Sequence, residues 1–548
     1  MGVELARRRT DCDVLILGGG VNGTGLARDL GLRGIRACLV ERNDLAFGAS
    51  GNSSGMIHGG PRYLTSHPSV TRASCEDSGF VQRIAPHMIF RIPFLFPVYG
   101  AGVRARVRFE AADAFFALYD EFQPLKRGKP HARLSPEEAR RLVPGLNTER
   151  MLGALTFDEW GINGARLCAA NALDALEHGA TVKVHTTCEE VLVEEGRALG
   201  ARVRDLLTGE TWTVSARVVV NATGAWGPIT AALAGLPGRV KLRPGKGVHL
   251  VLDRAITDVA VAAQAIDGRQ IFLEPWGDTA LIGTTDDDCY ADLDDLPVTA
   301  DEVRYLLEGV ESVLPRVRDA KIIGTTVGAR PTLYAYGRNE DDLSREHELL
   351  DHAADGVKGL YSMVGGKLAS YRMFAEEAAD QVARDLEVTR PCSTHTAPLP
   401  GGDRPLDVPA LAARYGLSFA AVRRLYARHG SRAEALLGEA TARGRRSVCP
   451  SDPVLACEVR YVIQREGART LQDVSRRTGL AQGPCGGVDC ALAAAVVAGG
   501  ELGWTGARVR DEAAGLLRAR RRSRLPALGA LGARGEPTVD AALRALGR

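Results

Sequence analysis

Residues 13–42 read DVLILGGGVNGTGLARDLGLRGIRACLVER, and this stretch limits the fold more tightly than any other. Val14–Leu17 is an unbroken apolar run, as expected of a parallel strand buried on both faces. Gly18, Gly20 and Gly23 follow in G-x-G-x-x-G spacing, where such a strand would turn into a helix. Gly18 permits the sharp turn, Gly20 lets backbone approach a pyrophosphate, and Gly23 lets the helix pack on the strand. The helix N-terminus would offer unpaired N–H groups and partial positive charge to that pyrophosphate. A second apolar run ends at Glu41, where a carboxylate would accept hydrogen bonds from a ribose hydroxyl. The unit predicts dinucleotide binding but does not separate NAD from FAD.

Composition excludes other classes. With 69 basic and 67 acidic residues the net charge is +2, which gives no electrostatic case for a nucleic-acid partner. The first apolar run is too short for a signal peptide and leads straight into the glycine loop. Nothing reaches the roughly 18 uninterrupted apolar residues of a spanning helix. MIFRIPFLFPVYGAGV (88–103) comes nearest, broken by Arg91, Pro93 and Pro97. Eleven cysteines without a secreted-type framework point to a reducing, cytoplasmic compartment.

After Glu41, DLAFGASGNSSGMIHGGPRYL (44–64) supplies Gly/Ser-rich backbone able to lie against a flat ligand, with Ser53, Ser54, Gly59 and Gly60 as the expected contacts. His58, Arg62 and Tyr63 would serve chemistry there; the structural alternative is a hydrogen-bonded loop with an exposed arginine.

GGGVNGTGLARD, VERNDLAFGAS and IHGGPRYL together resemble the FAD-dependent glycerol-3-phosphate dehydrogenases, flavoenzymes of the D-amino-acid-oxidase-like superfamily. Later segments keep the same order: DEWGINGARLCAANALDALEHGA, VVVNATGAW, PGKGVHLVL, LIGTTD, GARP and VGGKLASYRMFAE. One departure is Gly55 within SSGM, where relatives often carry Lys or Asn–His. The resemblance implies an α/β chain: a Rossmann-like FAD-binding domain of the D-amino-acid-oxidase-like type, an antiparallel-sheet substrate domain and a C-terminal helical domain. Residues 11–395 would form the oxidoreductase domain, with FAD-binding parts at 11–87, 150–234 and 325–395 and substrate-domain insertions at 88–149 and 235–324. Pro/Gly-rich 396–407 reads as a linker, 408–525 as the helical domain and Ala/Gly-rich 526–548 as a disordered tail.

Locally, ARLCAANALDALEHGA has helical spacing and ends at Gly179, while 181–205 and 211–224 alternate as strands do. VVVNATGAW reads as a buried strand ending in a glycine turn. The resemblance brings that turn, through Ala222, Thr223 and Gly224, against the cofactor. In VGGKLASYRMFAE, Gly365 and Gly366 would allow close backbone approach, and the helix expected from Leu368 would turn its N-terminus toward the flavin.

Oxidising a secondary alcohol requires a hydride acceptor, a base for the hydroxyl proton and groups that position the substrate. A phosphorylated alcohol also demands clustered cations, for which Arg is well suited. The resemblance places Arg62, Tyr63, His249, Arg330, Arg345 and Lys367 on the substrate side of the isoalloxazine. Arg330 and Lys367 are expected to anchor substrate, and Lys367 also to touch the cofactor; Arg62 and Arg345 would share the phosphate charge. An unperturbed imidazole can accept a proton at neutral pH, so His249 is the leading base and His58 the runner-up. The implied reaction converts sn-glycerol 3-phosphate to dihydroxyacetone phosphate, with hydride passing to flavin N5 and electrons leaving to quinone or an iron–sulfur partner protein. The resemblance also allows a homodimer and peripheral attachment to the inner face of the membrane. Two rivals keep the fold: an amino-acid or amine oxidase using O2, and a non-catalytic flavin-binding redox sensor.

At the far end, GPCGGVDC sets Cys485 and Cys490 in C-x4-C spacing, with Cys449 upstream. These resemble the [2Fe–2S]-type domain of the anaerobic large subunit, whose pattern is C-x-C and then C-x4-C. Here Ser451 stands at the second position, and Cys457 offers a substitute eight residues after Cys449. A cluster normally takes four thiolates. The segment is equally similar to the helical domain of cluster-free relatives. The basic run LLRARRRSRLP (516–526) reads as a solvated helix face or as a contact for an anionic membrane.

Overall fold

The computed structural model describes residues 9–61, 64, 68–337, 346–527 and 536–547. Its centre is a six-stranded sheet in the order His347–Asp351, Leu360–Gly365, Val218–Asn221, Val14–Leu17, Ala37–Val40, Thr181–Lys183. All neighbours are parallel except the first pair. The apolar run at 14–17 faces two cores. Val14 and Ile16 pack among the helices Val21–Leu32, Gly164–Glu177 and Tyr371–Asp385, while Leu15 and Leu17 pack against a four-stranded sheet formed by 9–11, 186–194, 197–205 and 211–215. Helix 164–177 and strand 218–221 lie where periodicity places them.

A nine-stranded, mainly antiparallel sheet lies over the C-terminal ends of the first sheet's strands. It takes up Met151–Ile162, paired to Ile89–Tyr99, and Ile322–Arg330, paired to Gly245–Leu252. Both segments fall mostly within stretches expected to bind FAD. Their partners are far away in sequence, so local patterning carries no trace of the pairing. Behind this sheet, the amphipathic helix Ala300–Glu311 closes an apolar core.

Helices between Val408 and Arg524 form the C-terminal domain. The preceding linker is not loose: the Leu399 amide donates to the Ile84 carbonyl (2.9 Å), and Leu399 is buried in the main core. The tail differs from expectation. Glu536–Ala545 is a helix, and Val539 and Leu543, one turn apart, are buried in the helical domain's core. Two apolar residues at i and i+4 are enough to dock a short helix whose composition otherwise looks disordered. The basic run is also committed internally. Within the helix Gly506–Arg524, Arg520 donates to Ser475, Arg521 and Arg522 pair with Asp540 and Asp295, and Arg524 bonds backbone carbonyls. Arg521 and Arg522 thus meet carboxylates of this chain, while Arg520 and Arg524 keep their charge and meet only neutral acceptors. Among the described residues, no helix is long and apolar enough to cross a membrane.

Candidate active site

Between the two large sheets lies a cavity of about 900 Å³. One end is the glycine turn. Gly18 has φ +112°, and a side chain there would strike the Ala222 carbonyl. Helix Val21–Leu32 begins at Gly20 with no side-chain cap and no acidic residue in its first turn. Its own first turn thus leaves its positive end unneutralised, although the Val21 amide donates to Ser50 Oγ (3.0 Å) from a neighbouring loop. Glu41 is held by two backbone amides, from Gly19 (2.6 Å) and Asn43 (2.8 Å), and burial raises its carboxyl above the usual range. Every described residue assigned to the cofactor from Gly18 to Lys367 lines this cavity, except Gly23 and Gly59. A side chain at Gly23 would strike the Gly18 carbonyl, and one at Gly59 would strike Cys75 and Tyr119.

At the other end, His249 sits on strand Gly245–Leu252, opposite Gly283 on one side and Thr326 on the other. Its ring lies over Gly283, where any side chain would collide with it. His249 is buried, and neither ring nitrogen has a hydrogen-bond partner among the described residues. Burial, then the nearby Arg330 charge, push its pKa down to about 3, so the imidazole is neutral at physiological pH. Arg330 closes the adjoining strand and crosses Gly247, another position where a side chain would collide. Its guanidinium reaches Asp286 Oδ1 (2.8 Å), Thr284 Oγ1 (3.0 Å) and the Thr285 carbonyl (3.1 Å). His58 and Lys367 line the same cavity. Arg62, Tyr63 and Arg345 lie outside the described residues.

Several participants escaped the sequence reading. Glu274 lines the cavity fully buried, its Oε2 lacks a hydrogen-bond partner, and desolvation raises its carboxyl well above the ordinary range. Arg269, which donates to the Asp286 carbonyl, lines the wall beside Arg330. Phe94, Phe96, Phe116, Phe157 and Phe272 form an apolar wall, with the Phe116 and Phe157 rings stacked at 4.7 Å. The alternation in IFRIPFLFPVY was the one available signal for that wall.

A model of the FAD dependent oxidoreductase family matches residues 13–381, and one for the C-terminal domain of alpha-glycerophosphate oxidase matches residues 392–509. One subunit of the anaerobic glycerol-3-phosphate dehydrogenase of Escherichia coli (strain K12) is 37% identical over 494 residues, spanning 88% of this chain and 87% of that protein. The chain belongs to the FAD-dependent glycerol-3-phosphate dehydrogenases. Glycerol-3-phosphate dehydrogenase 2 of Mycobacterium tuberculosis (strain ATCC 25618 / H37Rv) is 34% identical over 520 residues, 92% of this chain and 87% of that one. The solved glycerol-3-phosphate dehydrogenase of Bacillus halodurans complexed with FAD superposes with a TM-score of 0.72 at 26% identity, covering 94% and 96% of the two chains. The glycine turn at Gly18–Gly20 and the space between the sheets fit that cofactor in this member of the dehydrogenase family.

The cysteines also come together. The Cys490 thiol lies near enough to those of Cys449 and Cys485 to feel both, and Ser451 Oγ lies 3.6 Å from Cys485 Sγ. Cys457 does not join them: it is buried with Leu425 and Leu437, whereas Cys449 and Cys490 belong to a different apolar cluster.

Proposed function

We propose that the chain oxidises sn-glycerol 3-phosphate to dihydroxyacetone phosphate, with His249 as the proton acceptor. The observation that carries this reading is a neutral imidazole, unpartnered by protein, placed beside a fixed guanidinium in a cavity that begins at the dinucleotide turn. Bound FAD supplies the two-electron acceptor for the substrate hydride. Arg330 and Lys367 bind the phosphorylated alcohol, with Arg62 and Arg345 completing the cationic set. Asp286 and Thr284 hold the Arg330 fork in place, so little of its freedom is lost on binding. His249 accepts the hydroxyl proton. Its burial disfavours the imidazolium in the empty site, and a dianionic substrate offsets that cost, so its basicity rises when substrate is present.

The named relatives support this substrate, and the solved amino-acid oxidases share the fold alone at 21% identity or less. Electrons then leave to a quinone or an electron-transfer protein; the anaerobic relatives are named as parts of a larger enzyme, which supports a partner chain. We place the enzyme in the cytoplasm or at the inner membrane face, as a monomer or homodimer. The test is anaerobic flavin reduction against a panel of polyols, their phosphates and amino acids. Glycerol 3-phosphate should bleach the flavin fastest; a flavin indifferent to every phosphorylated polyol overturns the assignment.

A further inference from the structure

Residues 391–396 read PCSTHT and set Cys392 and His395 in C-x2-H spacing, far in sequence from the other thiols. The turn they form is pinned. The Arg28 guanidinium, paired with Asp174 (2.6 Å), also donates to the Thr394 and Ala397 carbonyls (3.2 and 2.6 Å). Beside this turn, helices Val21–Leu32 and Tyr371–Asp385 press together at Gly25, where a side chain would crowd Tyr371 and Ala375. Asp29 follows one turn beyond Gly25, and Glu376 follows Ala375, so the close approach brings both carboxylates to the turn.

One donor atom each from Glu376, Cys392 and His395 lies within 4.8 Å of the other two, and all three residues are half-buried, open enough for an ion to enter. Their neighbours orient them. Arg372 takes Glu376 Oε2 (2.6 Å), and the His395 ring stands edge-on to Phe80 at 5.6 Å. The Thr394 amide donates to Cys392 Sγ (3.4 Å), a bond that favours a thiolate, while the thiol itself donates to Asp29 Oδ2 (2.9 Å). Outer bonds of this kind fix the ligands of metal sites. Charge points the same way. Arg33 serves both Asp29 and Asp380, and Arg372 serves both Asp77 and Glu376, so two guanidiniums meet four carboxylates. Burial raises the Asp29 carboxyl and pushes that of Asp77 up to about 6, so this anionic surplus is costly as it stands. A divalent cation would offset it.

We propose that Glu376, Cys392 and His395 bind one zinc ion, with water in the fourth position. Thiolate, imidazole and carboxylate are all zinc ligands, whereas magnesium and calcium take oxygen donors. Burial, then the Asp29 charge, keep the Cys392 thiol protonated without metal, so zinc must displace that proton. As the zinc–sulfur bond forms, the proton passes to Asp29 Oδ2, which already accepts its hydrogen bond, and no electron is exchanged. The ion ties the turn to helix Tyr371–Asp385 and, through Asp29, to the helix that begins at the dinucleotide turn. It is a structural tie at the point where the chain leaves the oxidoreductase domain.

The test uses the full-length flavoprotein carrying Cys485→Ser and Cys490→Ala, which removes two thiols of the other group. After chelator treatment it should take up about one zinc per chain, and cobalt in its place should give a thiolate-to-cobalt charge-transfer band. Adding Cys392→Ser should abolish that band, and adding His395→Ala should weaken zinc binding roughly tenfold or more. Zinc should raise the melting temperature of the starting protein and leave that of its Cys392→Ser derivative unchanged. Flavin content serves as the folding control. No thiolate band with cobalt in the starting protein would overturn the site, whatever the variants do. Equal zinc uptake with and without Cys392 and His395 would overturn it too. The substrate assignment stands apart: a protein that binds no zinc here, yet whose flavin bleaches with glycerol 3-phosphate, loses the metal and keeps the reaction.

Discussion

The cavity and the seam between the oxidoreductase and helical domains both bury polar groups, but they treat them in opposite ways. Across the seam, charges meet charges: Arg166 with Glu466 (2.7 Å), Asp44 with Arg477, His185 with Asp473 (2.9 Å) and Asp205 with Arg469 (2.6 Å). Single atoms of the seam, Asp44 Oδ2, Arg166 Nε and Arg477 Nε, are also buried without a hydrogen bond, but each of those side chains has a charged partner. In the cavity, neither ring nitrogen of His249 nor Glu274 Oε2 has a hydrogen-bond partner among the described residues. Buried polar atoms without partners cost stability, and native structures keep few of them. The seam is built to hold, and the cavity keeps interactions in reserve for a ligand.

The largest effect expected of that contrast is at His249. His249→Asn should lower the rate of flavin reduction roughly 100- to 10,000-fold with FAD content unchanged, read by anaerobic stopped-flow. A loss under tenfold would make the imidazole a packing group. Arg330→Ala should lower kcat/KM roughly 100- to 1,000-fold, mainly through KM, with Arg330→Lys recovering part; unchanged kinetics would remove Arg330 from the site.

At the seam the cost should appear as stability. Glu466 is held below the usual carboxylate range: burial opposes ionisation, but the Arg166 charge overcomes it. Glu466→Ala strands Arg166 and should destabilise by about 3 kcal/mol, whereas Arg166→Met with Glu466→Met should recover most of the loss. Equal melting of the single and double variants would show that the pair matters little. Glu274→Met should act in the opposite direction. Removing a buried, unpartnered carboxyl should raise the melting point of the flavin-free protein, by about 1–2 kcal/mol in free energy, while slowing turnover. A destabilised Glu274→Met would mean that the carboxyl is satisfied within the protein.

What was legible in the sequence follows the same division. The two-faced burial of Val14–Leu17, the Gly18 turn and the strand at 218–221 are local matters, written in runs of neighbouring residues. His249 and Arg330 were picked out by the motifs around them, yet their surroundings were not. Gly247 and Gly283 clear room for those side chains from neighbouring strands, and no local signal marks a glycine as space for a distant ring. Glu274 looked like any strand carboxylate until the sheet folded it inward. The seam was invisible for a similar reason: Arg166 and Glu466 are 300 residues apart. Ser451 lies beside Cys485 although 34 residues separate them, a proximity that spacing alone does not reveal.

The smallest effect separates seam from cavity by pH alone. Desolvation pulls the His185 imidazole down, but its hydrogen bond to Asp473 and that carboxylate's charge raise it above the ordinary value. A histidine whose folded pKa is raised contributes stability that is complete below its unfolded pKa, near 6.5, and is lost as pH rises through the folded value. The seam should therefore loosen on going from pH 6 toward pH 9, by about 1 kcal/mol or less for one half-buried pair. His249 runs the other way: its folded pKa is depressed, so near pH 6 only the unfolded chain binds its proton, and its contribution makes stability rise with pH until the unfolded imidazole has titrated. Thermal unfolding of His185→Gln should therefore lose less stability between pH 6 and 9 than the parent, while His249→Asn should lose more. A greater loss in His185→Gln and a smaller one in His249→Asn would reverse the assignment of paired charges to the seam and reserved ones to the cavity.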